Sequence, residues 1–134
     1  MQKLVAIAVA LVCVFSLSAC NTKERRAKNL AAGDQWLSNF NQPAALNVTG
    51  TWASLEWGEG SLKQANRQVT GTLGHYAVKG VVSGRKVYLQ FLSDNWVYYS
   101  AVLERTPAGA LSGHYSEGTS FDPKEQEPIT IKRW

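Results

Sequence analysis

Few side chains in this 134-residue sequence could carry covalent or metal chemistry. The thiols and imidazoles are Cys13, Cys20, His75 and His114. A structural zinc site would need all four, and they lack chelating spacing. Both histidines fall in strand-like segments beside apolar residues. His114, between Gly113 and Tyr115, should face outward by strand parity. Neither has a neighbour that would complete a nucleophile–base pair. Glu56 with Glu59, and Glu125 with Glu127, lie in loop-like stretches and read as solvated charge. A glycosidase would need such a pair held across a cleft. Two cysteines are too few for a disulfide framework. The expectation is therefore a non-enzymatic protein with no catalytic residue, metal ligand or cofactor.

Cys20 is the exception, through its position. Residues 4–17 form an almost unbroken apolar run behind Lys3. As a helix this run would reach about 21 Å at 1.5 Å per residue, short of the roughly 30 Å hydrocarbon core. It reads as the apolar core of a signal peptide rather than as a membrane span. It closes on Leu17-Ser18-Ala19-Cys20. This tetrapeptide resembles the lipobox of bacterial lipoproteins. The resemblance implies cleavage before Cys20, a diacylglyceryl thioether on its sulfur, and acylation of the new amine by a chain such as palmitate. Two or more chains anchor stably, at ~0.8 kcal/mol per buried CH₂. In Gram-negative lipoproteins an Asp after the lipidated cysteine favours the inner membrane. Asn21 stands there, so the resemblance implies the periplasmic face of the outer membrane.

The mature chain thus divides into an anchor and tether, 20–46, and a domain, 47–134. The formal charge of +4 divides as well. Lys3 leaves with the signal peptide. Lys23, Arg25, Arg26 and Lys28 outweigh Glu24 and Asp34 in the tether. The domain carries 9 basic and 8 acidic residues, a net +1. The tether's basic cluster could attract anionic headgroups or serve as a solvated spacer. The sequence shows no basic domain, so no nucleic-acid partner is expected. The tether could hold a short helix within 27–40. Gly33 interrupts it, Asp34 could cap a fresh start, and Pro43 forbids continuation. Trp36 and Phe40 are expected to pack on the domain rather than enter the membrane interface.

Beyond residue 47 the pattern is strand after strand. Eight candidates are 48–54, 61–66, 68–74, 76–83, 86–92, 96–105, 110–116 and 128–133. Turn residues at Asn66-Arg67, Ser83-Gly84-Arg85, Asp94-Asn95 and Pro107-Ala108-Gly109 separate most of them. The pattern apolar-x-Gly-x-apolar occurs four times: Val48–Trp52, Val69–Leu73, Val78–Val82 and Leu111–Tyr115. Period 2 puts its key residues on one face, the expected core side. A central glycine leaves room for a neighbour and lets a strand coil sharply. A small closed barrel requires such coiling. The fold class is therefore all-β, a small antiparallel up-and-down barrel of about eight strands.

The four repeats are similar to the strands of avidin-like barrels. Gly50-Thr51-Trp52 resembles the Gly-x-Trp of lipocalins and other calycins. The resemblance implies that Trp52 closes the barrel floor under a basic side chain from the last strand, Arg133 or Lys132. No ligand-binding set carries over, because the polar positions do not match.

Aromatic residues are the best remaining candidates for contact with a ligand or partner. Segment 96–103 is aromatic or apolar on both faces, so one face is either covered by the tether, covered by a partner, or left as an exposed patch that would mark a site. The loops around 55–60, 94–96 and 117–128 would form an open mouth, with Trp57, Trp96 and Tyr98 as contacts. The expected function is a membrane-anchored envelope lipoprotein whose barrel binds a small apolar ligand or a protein. The alternative is a structural or assembly factor of the envelope that uses the outer face and has no cavity.

Overall fold

The computed structural model describes residues 21–134. Cys20 and the signal segment lie outside the described residues. Residues 21–38 are helical (α1). Eight strands follow: β1 Gly50–Ser54, β2 Gly58–Ala65, β3 Gln68–Leu73, β4 Tyr76–Ser83, β5 Lys86–Ser93, β6 Trp96–Arg105, β7 Leu111–Glu117 and β8 Glu127–Arg133. Each pairs antiparallel with the next, and β8 returns to β1, giving a closed barrel in sequence order. The closed, antiparallel, eight-stranded meander is consistent with a calycin-like barrel.

The repeated glycines explain how so short a chain closes. In the register Gly71 stands opposite Leu62, Gly80 opposite Leu89 and Gly113 opposite Leu103. Gly60, outside the repeat pattern, stands opposite Leu73. All four leucines are buried. A Cβ on any of these glycines would collide with a carbonyl oxygen of the adjacent strand, from Ser61, Tyr88, Val102 or Thr72. The glycine lets two strands approach while the leucine opposite fills the interior. The core so formed also contains Val48, Trp52, Val69, Val82, Phe91 and Ile131.

Two strand starts shift by two or three residues from the sequence reading, and one register slips. β2 begins at Gly58, because Gly58, Glu59 and Gly60 pair with Ser54, Ala53 and Trp52. β1 begins at Gly50, since side chains replace the ladder before it. The Val48 N–H donates to Gln64 Oε1 (2.9 Å), and the Gln64 N–H donates to Thr49 Oγ1 (3.0 Å). The β5–β6 register slips between Phe91 and Leu92. Tyr98, left without a partner on β5, is exposed, and Val97, opposite Leu92, is buried.

The tether also differs. α1 passes through Gly33 without a break. Gly33 is a contact point rather than a helix end. Its carbonyl accepts from Gln90 Nε2 at 2.9 Å, and a Cβ there would stand 2.7 Å from the same nitrogen. Other contacts fix the helix along its length. The side chain of Asn29 accepts from the Val97 N–H (2.7 Å) and donates to the Val97 carbonyl (3.2 Å). Asp34 pairs with Lys79. Trp36 packs edge-on against Tyr88, and Phe40 stacks on Tyr88 at 3.5 Å. The cover needed by β5 and β6 thus comes from α1. The segment after β7 adds to it through Ser100 Oγ, which donates to the Gly118 carbonyl (2.8 Å).

Candidate functional site

An up-and-down barrel puts alternate turns at opposite ends. The β1–β2, β3–β4, β5–β6 and β7–β8 connections form one end, the mouth. The β2–β3, β4–β5 and β6–β7 turns, with the start of β1 and the end of β8, form the floor.

The floor is shut. Trp52 is 1% exposed, and its Nε1–H donates to the Val48 carbonyl at 2.8 Å. The Arg133 guanidinium carbon lies 4.6 Å from the centre of the Trp52 ring. Its nitrogens donate to the carbonyls of Thr49 (3.1 Å) and Asn47 (3.2 Å). A cation in this position contributes roughly 0.5–2 kcal/mol. Lys132, exposed opposite Ala53, does not occupy it.

At the mouth, Trp57 leaves the β1–β2 turn and folds inward. Its ring stacks on Phe91 at 4.5 Å, with Tyr99 (5.2 Å) and Tyr115 (5.0 Å) edge-on and Tyr76 tilted at 5.3 Å. An aromatic stopper therefore fills the entrance. Trp96 and Tyr98 do not join it. They line a separate groove of about 300 Å³ on the outside of the β6 bulge, with Asn29, Tyr99 and Glu117. So the three residues expected to share one mouth occupy two places: Tyr98 alternates with the inward-facing Tyr99, and Trp96 lines the same outer groove. Phe91, Tyr76, Tyr99 and Tyr115 were missed as a cluster. The inward parity of Tyr115 was legible from its repeat, but its meeting with Trp57 depends on barrel closure.

A larger groove of about 530 Å³ lies at the floor end, between the chain after α1 and the β4–β5 and β6–β7 turns. Phe40, Gln42, Arg85, Tyr88 and Arg105 line it. No sequence pattern marked it, since its walls come from three distant segments.

Burial pushes the Tyr99 hydroxyl above the ordinary tyrosine range, and neighbouring Tyr76 and Glu117 add to the shift. Burial likewise raises Tyr115, with Glu127 and Glu56 adding to it. Each folded hydroxyl holds its proton more tightly than its unfolded counterpart. The associated stability is complete below about pH 10, the unfolded value, and falls as pH rises toward the folded values. Ultraviolet titration should show two late-ionising tyrosines, with unfolding in urea becoming easier above that pH. Ionisation of every tyrosine together near pH 10 would contradict the packed mouth.

His75 and His114 are both exposed. No group of three or more His, Cys, Asp or Glu side chains among the described residues could hold a metal. No helix among them is long and apolar enough to cross a membrane. No family of known proteins, curated protein or solved structure matches this chain.

Proposed function

We propose that the protein is a lipid-anchored envelope lipoprotein, processed and acylated at Cys20. It works without catalysis, as a structural or assembly factor that uses the outside of a solid barrel. The observation that carries this reading is the stoppered interior. Trp52 with Arg133 closes one end, Trp57 fills the other, and buried aliphatic side chains occupy the space between. The two grooves described both lie outside the barrel wall. The outer membrane, facing the periplasm, is the favoured location because Asn21 replaces the aspartate of inner-membrane lipoproteins.

α1 gives the anchor a geometric meaning. It runs from the mouth, where Asn29 grips Val97, to the floor, where the Phe40 carbonyl accepts from Arg67 (3.2 Å). Residues 21–28 are all exposed and helical. They extend roughly 12 Å at 1.5 Å per residue. An anchor at Cys20 would therefore adjoin the mouth and leave the floor pointing away from the membrane.

A small apolar ligand remains the competing occupant, in the place now held by Trp57. Native mass spectrometry of protein from its own host separates these readings. The expected mass is that of an acylated chain beginning at Cys20, with no bound small molecule. An unmodified Cys20 thiol would overturn the anchor. A stoichiometric apolar passenger would overturn the solid barrel.

A further inference from the structure

The domain's near-neutral charge hides a sharp division. Glu56 lies in the β1–β2 connection, Glu59 is the second residue of β2, and Asp94 is in the β5–β6 turn. Glu117 ends β7, Glu127 begins β8, and Asp122 and Glu125 lie between them. All seven are at the mouth, where Lys124 is the single basic residue of the barrel itself; the exposed Lys23, Arg25, Arg26 and Lys28 of α1 extend from the same end. Arg67 and Arg85 occupy the β2–β3 and β4–β5 turns, Lys86 begins β5 and Arg105 ends β6. Lys63 lies in the floorward half of β2, and Lys132 and Arg133 end β8. These seven are at the floor, with Glu104 the single acid. Counted over the barrel's own strands and turns, the mouth carries a net −6 and the floor a net +6.

Little of the floor's charge is spent on the fold. Arg133 serves Trp52 and Arg67 caps the Phe40 carbonyl. Lys86 and Glu104 make a long exposed pair at 3.8 Å. Among the described residues no carboxylate pairs with Lys63, Arg85, Arg105 or Lys132. Arg85 and Arg105 instead both line the 530 Å³ groove. Such one-signed charge costs solubility nothing, but it destabilises the compact state by self-repulsion. A partner of opposite sign would relieve it.

We infer that the floor groove is a docking site for an acidic protein segment. The groove supplies three kinds of contact. Arg85 and Arg105 offer guanidinium donors, and Arg forms paired hydrogen bonds with a carboxylate, while Glu104, the one acid in the wall, is answered by Lys86. Asn39, Asn41 and Gln42 present side-chain amides that no hydrogen bond among the described residues consumes, and an amide can both donate to and accept from a peptide backbone. The stacked Phe40 and Tyr88 rings form an apolar wall. This mixture suits a peptide better than a bare polyanion, which needs only the cations. A membrane surface is disfavoured, because α1 leaves the barrel at the opposite end. That last step rests on the proposed lipid anchor; the groove and its charge do not.

The test uses the mature protein in neutral detergent micelles and a short, fluorescent, glutamate-rich peptide. Saturable binding is expected. The double variant Arg85→Glu with Arg105→Glu should weaken it by about tenfold or more, as loss of opposite-sign contacts does. Lys124→Glu, at the mouth, should leave it unchanged. Raising salt from low to physiological strength should weaken binding as screening shortens to about 8 Å. Three results would overturn the inference. One is equal affinity of the double variant, given an unchanged circular dichroism spectrum. Another is binding of a sulfated polysaccharide without binding of the peptide. The third is self-association, abolished by the same double variant, which would make the mouth of a second copy the occupant. Acylation of Cys20 is read separately by mass, so a failed anchor and a failed groove give different results.

Discussion

Trp52→Ala is expected to remove about 3–5 kcal/mol of stability, the range for deleting a buried large aromatic. Three contributions disappear together. The indole fills the floor at 1% exposure. Its N–H satisfies the Val48 carbonyl, which would be left buried without that donor. Its ring face also seats Arg133, whose nitrogens tie down the chain before β1. A domain of this size holds roughly 5–15 kcal/mol in all, so the loss is a large share of its stability. Arg133→Met removes only the cation and its hydrogen bonds, and should cost less, about 1–2 kcal/mol. Urea denaturation of both variants checks the order. A Trp52→Ala cost below that of Arg133→Met would mean that Trp52 is not the keystone of closure.

The second large effect concerns the interstrand glycines. Gly113→Ala places a methyl group against the Val102 carbonyl, and within 2.9 Å of the Leu103 Cα. Relief requires the two strands to move apart. The expected cost is about 1–3 kcal/mol, as for overpacking in other cores. The melting temperature should fall by roughly 4–8 °C per kcal/mol. The nature of the obstacle gives a sharper test. At Gly80 one of the atoms met is the Leu89 side chain, Cδ2 at 2.8 Å, so Leu89→Val should recover part of the loss in Gly80→Ala. At Gly113 the nearest obstacles are all backbone, so Leu103→Val should recover nothing. Rescue at both sites would show that the glycines make room for side chains rather than for the neighbouring strand.

Much of this was legible in the sequence for simple reasons. Period-2 alternation and turn residues located the strands, and four glycines at matching parity marked the wall that must coil. What the sequence hid was contact between distant segments. Gly33 looked like a helix break because its partner, Gln90, lies 57 residues away. Trp57 looked like a rim residue because nothing local shows that the interior narrows to receive it. Tyr98 lies in an outer groove rather than beside Trp57, since it alternates with Tyr99, which faces the stopper. The charge division was present from the start but spread through the chain. Acidic and basic residues lie in and beside different turns, and the pattern acquires meaning only once alternate turns are assigned to opposite ends.

The seam between β1 and β8 sets how such a barrel assembles. Every other pairing joins strands adjacent in sequence, so hairpins can form early at small entropic cost. The seam joins residues about eighty apart, with two register pairs, Trp52 with Arg133 and Ala53 with Lys132. Side chains and termini supplement it: the Trp134 N–H donates to the Thr51 carbonyl, and Thr51 Oγ1 donates to the Trp134 carbonyl. Loop-closure entropy makes this the last joint to form and the first to open. The sheet then exists briefly as an open ribbon with two bare edges, the state most exposed to pairing with another chain. Trp52 and Arg133 sit astride that joint. Their contact therefore sets how long the open ribbon lasts as well as how firmly the finished barrel holds.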